Sequence, residues 1–370
     1  MRGWRIGTIA GISIEIHFTW LLIFFLFLWS LATGHFPHVA PHAPRWLDWA
    51  AAVLATAMFF GSLLLHELAH SLMARRQGLR VERITLFVFG GVAELETEPR
   101  AAWSELLIAA VGPLVSGLVA GGLWVISGLV PTTSAPMRLL HESFYYVAIA
   151  NAFVAVFNSV PAFPLDGGRM IRSLLWAAWR DLTRATAVAA GLGKAFGYTL
   201  GGVGVWLAIG PAHQVLDGLW LTFLGWLLAA AAEQAYARVR DAALLEQFLV
   251  GDFMTTPAVV VPATLRLEEF AHEYDYIGRA AYPVVSGGRV IGLFHREALA
   301  RTPRPKWPTV LVGDVMEPLD VETMVIAADA PLAEALRRMS QARRRLMVMG
   351  RNRRLVGIIT PTYVLRALRR

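Results

Sequence analysis

Residues 64–73 read LLHELAHSLM, and they close an apolar run that begins near residue 50. A helix of that length and composition belongs in a bilayer, where ionisable side chains are costly and rarely lack a function. His66, Glu67 and His70 stand in it nonetheless. The spacing is HExxH. Positions four apart share a helix face, so His66 and His70 can aim both imidazoles at one metal ion. Glu67 lies about 100° further round the helix axis, beside the place a metal-held water would occupy. Neutral imidazoles suit Zn²⁺, and a third ligand would leave one coordination position open for such a water.

The rest of the chain agrees with a membrane setting. Of 370 residues, 56% are hydrophobic and 16% charged, and the mean hydropathy is +0.51. Several bilayer spans are implied. The net charge of +7 brings a nucleic-acid partner into view. The basic residues border the apolar stretches instead of forming one patch, which excludes that partner and fits the positive-inside rule. The absence of cysteine excludes disulfides and thiolate metal sites. The first apolar run is too long, and too poorly followed by a cleavage pattern, to read as a signal peptide.

Six stretches can each cross a hydrocarbon core: 12–33, 50–73, 104–129, 143–163, 188–209 and 215–236. Arg2 and Arg5 precede the first; Arg75, Arg76, Arg80 and Arg83 follow the second; Arg169 and Arg172 follow the fourth; Arg238 and Arg240 follow the sixth. The opposite loops carry only Arg45 and Arg138. Both termini are therefore expected in the cytoplasm, with the protein in the inner (cytoplasmic) membrane. Between the second and third spans, "RVERITLFVFGGVAELETEP" (80–99) alternates with a period near two, and Gly90-Gly91 marks a turn. A β-hairpin over 81–98 is predicted, with Glu94, Glu96 and Glu98 on alternate positions. Its first arm is apolar on both faces, so it is expected to be membrane-associated where protein shields its backbone.

A third metal ligand must come from elsewhere in the chain. "NSVPAFPLDGGRMIRS" (158–173) closes the fourth span. Pro161 and Pro164 cannot continue a helix, so the chain unwinds before Asp166. Gly167-Gly168 then permits a tight turn. The charge pattern sets Asp166 and HExxH at matching depth on one side, which favours a shared metal.

HExxH in a membrane helix, followed by "NSVPAFPLDGG" at 158–168, resembles the site-2 protease family of intramembrane zinc metalloproteases. The likeness covers residues 1 to 236 and includes "IEIHFTW" at 14–20 and "GPLVSG" at 112–117. It implies one Zn²⁺ per chain, held by His66, His70 and Asp166, with Glu67 as general base. Asn158 matches an asparagine that binds substrate backbone or the oxyanion, and His17, also at a family position, reads as structural. Gly112, Ser116 and Gly117 read as small residues that let helices approach closely. An unwound substrate needs partners for its exposed amides, and an edge strand within 81–93 can supply them. Thr85, Leu86, Phe87, Val88, Gly90 and Gly91 are the substrate-binding candidates. The family further implies a single-span membrane substrate, such as an anti-sigma factor or membrane-bound transcription regulator, cut in regulated intramembrane proteolysis.

After Arg240 the sequence becomes charged and repeats itself. "VGDFM" (250–254) returns as "VGDVM" (312–316), and "RVIGLF" (289–294) as "RLVGII" (354–359). The repeat resembles a tandem CBS pair, over 250–309 and 312–370. Many such pairs hold a ribose with Thr or Ser followed three residues later by Asp. Here those places are His295 and Ala298, then Thr360 and Tyr363, so an adenine nucleotide is not expected. Dimerisation or regulation is the expected role. The fold class is thus a polytopic α-helical membrane domain over 1–240, six helices and the hairpin, plus an α+β CBS pair. A CBS-regulated proton or metal-ion transporter is the competing class. It has no need of HExxH spacing.

Overall fold

The computed structural model describes residues 3–88, 90–95, 99, 101–210, 214–274, 277–342, 346–349, 355–360 and 364. Glu96, Glu98 and Tyr363 lie outside the described residues. The chain forms two compact units, Met1–Val239 and Arg240–Arg370.

The first unit opens with two antiparallel strands, β1 (Trp4–Ile9) and β2 (Ile12–Ile16). The first span therefore does not begin at residue 12. Ile12 and Ile14 alternate with Ser13 and Glu15, a period of two, and bury their side chains as a strand does. His17 then caps α1 (Phe18–Ser30), its Nδ1 facing the Thr19 amide, and a π-helical turn over Leu31–His35 leads into α2 (Phe36–Val39). Together these make a 22-residue apolar rod, Phe18–Val39. The second is α3 (Arg45–Arg76), which carries HExxH in its last third.

Next come β3 (Val81–Phe87) and β4 (Gly90–Leu95), the antiparallel hairpin. It is half of a larger object. β2 pairs in parallel with β3, giving one sheet in the order β1-β2-β3-β4. One face of that sheet is apolar: Ile12, Ile14, Val81, Ile84 and Leu86 pack with Leu68 and Ala74 of α3 and with Ile108. The sheet thus sits against the helix segment that bears the motif.

Four more long helices follow: α4 (Ala102–Leu129), α5 (Ala135–Ser159), and, after the shorter α6 (Asp166–Trp179), α7 (Leu182–Ile209) and α8 (Val215–Glu246). All but α6 are long and apolar enough to cross a membrane, which brings the number of such rods to six. The fourth starts earlier and stops earlier than its apolar run suggests. Pro136 is tolerated in its first turn, and Pro161 stops the chain from continuing past Ser159. Glu142, inside this helix, bonds His35 Nε2 at 2.9 Å and ties the first rod to the fourth.

In the second unit, β5 (Val261–Pro262), β6 (Ala281–Ser286), β7 (Arg289–His295) and β8 (Glu317–Pro318) form one sheet in that order. β9 (Val325–Ala327), β10 (Leu346–Met349) and β11 (Leu355–Ile359) form another, in the order β11-β10-β9. The repeats interlock. Val250 of the first opening segment is buried among Ile326, Leu332, Val348 and Ile359, while Val312 of the second is buried among Val261, Leu267, Phe270 and Tyr282. Main-chain bonds fix the exchange: Val250 N–H donates to Ala330 O, and Val312 N–H to Leu265 O.

Candidate metal centre

His66 and His70 are buried on one face of α3, with ring centroids 4.8 Å apart. Their Nε2 atoms are 3.1 Å apart. Asp166 Oδ2 stands 3.3 Å from the first and 3.1 Å from the second. The far side of each ring determines what these atoms carry. His70 Nδ1 lies 2.6 Å from the Ile108 carbonyl, which can only accept, so that nitrogen holds the proton. His66 Nδ1 lies 2.9 Å from Ser116 Oγ, a hydroxyl able to accept from that nitrogen or donate to it. With Ser116 accepting, both Nε2 atoms are left with lone pairs, converging on a carboxylate oxygen.

Three lone-pair atoms so close repel one another unless a cation lies between them. In a tetrahedral site with bonds of about 2.0–2.1 Å, ligand atoms stand about 3.3 Å apart. The observed separations of 3.1, 3.1 and 3.3 Å match that spacing. Two imidazole nitrogens and one carboxylate suit zinc, and among the described residues no other group of three metal-type donors converges.

Asp166 arrives at the site as the first residue of α6, after an irregular stretch at 160–165. Gly167 and Gly168 do not form the expected turn. They are in the first turn of α6, and a Cβ on Gly167 would strike the Ser159 and Val160 carbonyl oxygens, while one on Gly168 would strike Phe163 N. Glycine is needed so that the loop folds back onto the helix start. Asp166 lies outside the six long rods. Burial alone would raise its pKa; the imidazoles at its Oδ2 and the charge of Arg169 outweigh that and hold it well below the usual carboxylate range. An anion is the form in which a carboxylate can hold a metal ion.

The small residues of "GPLVSG" have a sharper use than helix packing. A Cβ at Gly112 would collide with His70 Nε2 and stand 2.7 Å from His66 Nε2. Gly112 keeps clear the space over the lone pairs, and Ser116 orients one of the rings. Neither role is visible without the third dimension, because α4 meets α3 only in the fold.

Glu67 is half-buried beside β4, where a Cβ at Gly91 would strike its Cγ and come within 2.9 Å of its Cδ. Gly90, at φ +126°, has a backbone that other residues rarely adopt. Of the edge expected within 81–93, the β3 part needs correction. β3 is an interior strand with its main chain committed to β2 and β4, because the N-terminal strands add to the hairpin's outer side. Thr85 and Leu86 are buried, Phe87 and Val88 half-buried, and the Val88 amide faces Thr19 Oγ1 at 3.4 Å. The outer strand beside Glu67 is β4, with Gly90 and Gly91. Asn158 does not join the three donors. Its amide donates to Val154 O, 3.0 Å away in its own helix. In the second unit, His295 Nε2 bonds Glu317 Oε2 at 2.9 Å.

The family model described as Peptidase family M50 matches residues 54–136 and 126–200, and the CBS domain model matches 250–304 and 312–370. The Rip3 protein of Mycobacterium tuberculosis, by name a zinc metalloprotease, is 33% identical over 98% of this chain and 92% of its own length. A zinc metalloprotease of Methanocaldococcus jannaschii is 30% identical over 98% and 95%. The solved structure of a site-2 protease from M. jannaschii aligns with 64% of this chain and 95% of its own, at 26% identity and a TM-score of 0.42. With its donor set, its apolar rods and this kinship over nearly its whole length, the chain belongs to the site-2 protease family of multi-pass zinc metalloproteases, in the form that carries a C-terminal CBS pair.

Proposed function

We propose that His66, His70 and Asp166 hold the zinc, and that Glu67 is the general base in hydrolysis of a peptide bond within or near a membrane-spanning segment. The observation that carries this is the convergence of three lone-pair atoms at 3.1–3.3 Å, with the other nitrogen of each ring engaged elsewhere. When bound, Zn²⁺ acts as a Lewis acid and makes water nucleophilic near neutral pH. Glu67 takes the proton of that water and delivers it to the leaving amine. A helical substrate hides its amides, so it unwinds locally, and each exposed group then needs a hydrogen-bond partner. The outer strand β4, with no side chain at Gly91 between it and Glu67, supplies that partner by strand addition. Asn158, near the end of α5 and just ahead of the loop that brings Asp166, releases Val154 O and donates to the oxyanion or to substrate backbone.

The substrate class is a single-span, membrane-tethered regulator, of which anti-sigma factors are an example. The arginine-rich helix ends favour a cytoplasmic-membrane protein with both termini and the CBS pair in the cytoplasm. That pair regulates or dimerises the enzyme. The test is Glu67→Gln in the full chain, with a tagged single-span protein as reporter. Cleavage is expected to fall about 100- to 10,000-fold while zinc content holds. Full cleavage removes the base assignment. Unimpaired zinc in Asp166→Ala removes the third ligand.

A further inference from the structure

The residues of α4 that serve the centre stand in one row. The Ile108 carbonyl accepts from His70 Nδ1–H, Gly112 clears the lone pairs and Ser116 holds His66; these are spaced four apart, along one helix face. One position earlier in that row, three residues before Ile108, is Glu105. It is 1% exposed in a helix that carries no other charge, and such a charge must be paired. Its Oε1 accepts from Arg172 Nε at 2.9 Å and from Arg172 Nη2. Arg172 is itself 7% exposed, and its guanidinium lies 5.0 Å from the ring centre of Phe163, in the loop that precedes Asp166.

Arg169 stands between the two acids. Its Nε is 3.9 Å from Glu105 Oε1, and its Nη1 is 3.9 Å from Asp166 Oδ1. The two oxygens of Asp166 thus have separate neighbours: Oδ2 meets the imidazoles and Oδ1 faces an arginine. Asp166, Arg169 and Arg172 are spaced three apart on α6, so fixing the arginines fixes the helical register from which Asp166 projects.

On the reading that Asp166 is a zinc ligand, we infer that Glu105 is a positioning residue for it, acting through Arg172 and Arg169. One stripe of α4, residues 105, 108, 112 and 116, then sets all three ligands. A salt bridge kept for fold alone would serve equally well replaced by apolar side chains of similar size. A positioning pair would not.

The experiment uses the full-length protein in detergent, stripped of metal and titrated with Zn²⁺ against a chelator, with thermal unfolding of the same samples. Co²⁺ absorption reports the ligand geometry. Glu105→Gln and the double variant Glu105→Leu/Arg172→Met are compared with wild type and with Asp166→Ala. Outer ligand partners are worth about 10- to 100-fold in metal affinity, and a loss of that size is expected in both Glu105 variants. The Co²⁺ bands should shift, with the folding transition kept in the double variant. Wild-type affinity and an unchanged Co²⁺ spectrum in Glu105→Gln would overturn the inference, as would the double variant's binding as tightly as wild type. Asp166→Ala separates the two readings. If it leaves affinity intact, the ligand assignment falls and this inference with it; if it weakens binding while the Glu105 variants do not, only the positioning role falls.

Discussion

The metal centre and the interlocked repeats are built on opposite logics. Around His66 the buried groups are polar, and each has a particular partner: a serine, a carbonyl, a carboxylate. Around Phe270 the buried groups are apolar, and the partners are rings and aliphatic chains such as Tyr282, Phe294 and Val284. Polar burial is costly unless satisfied, so each polar residue in a core narrows what that core can do. Apolar burial tolerates many solutions of similar volume. The first region therefore states a chemistry in its sequence, and the second states only a shape.

If that contrast is right, the largest effect of a single methyl group should fall where no side chain exists. Gly112→Ala puts a carbon where His70 Nε2 already stands, and both rings are held from behind at 2.6 and 2.9 Å. Zinc content and cleavage should fall together, by about 100-fold or more, as for other displacements near 1 Å. Wild-type zinc in this variant would mean the rings are not pinned. Gly91→Ala displaces Glu67 and crowds Leu86 at 3.3 Å, with neither imidazole among its nearest contacts. It should lower turnover about 10- to 100-fold with zinc unchanged, since a base supplies 100-fold or more when well placed. A joint loss of metal and turnover would mean that the sheet supports the ligands as well as the base.

How much of this was readable follows the same division. The candidate donors His66 and His70 and the candidate base Glu67 were legible because HExxH spacing is a property of one helix. Asp166 was readable because two prolines break the span just before it. Ser116, Ile108 and Glu105 were not, since their meaning depends on α4 lying against α3 and α6, and nothing local announces that crossing. The hairpin was legible from its alternation, but its place in a four-stranded sheet was not. "ISIEI" borders an apolar run, so its five residues merge with the span that follows. That merger also hid which strand is outermost. In the second unit the repeat was plain, yet the exchange of Val250 and Val312 between copies was not, because openings that differ at one residue in five fit either partner.

Ser116→Ala probes a smaller quantity. It leaves the lone pairs and the space over them intact and removes only the acceptor behind His66. Zinc affinity should weaken about tenfold, the low end for an outer partner, because the ring remains confined by packing. Calorimetric or chelator titration of the full chain reads this directly. A loss as large as that of Gly112→Ala would mean that the hydrogen bond, and not the crowded geometry, holds the ring.

At the far end of the scale lies a substitution expected to do great local harm and none to the metal. Phe270 is fully buried, with its ring 5.0 Å from Tyr282 and 4.7 Å from Phe294. Phe270→Ala should cost the second unit about 3–5 kcal/mol, because the cavity cannot close around the three remaining rings, Tyr274, Tyr282 and Phe294. Denaturant unfolding followed through the repeats would measure it. Zinc content should stay at the wild-type level, because every donor and every partner of a donor lies between residues 66 and 172. A fall in zinc would show that the state of the repeats reaches the centre, and the division into a chemical region and a merely shaped one would no longer hold.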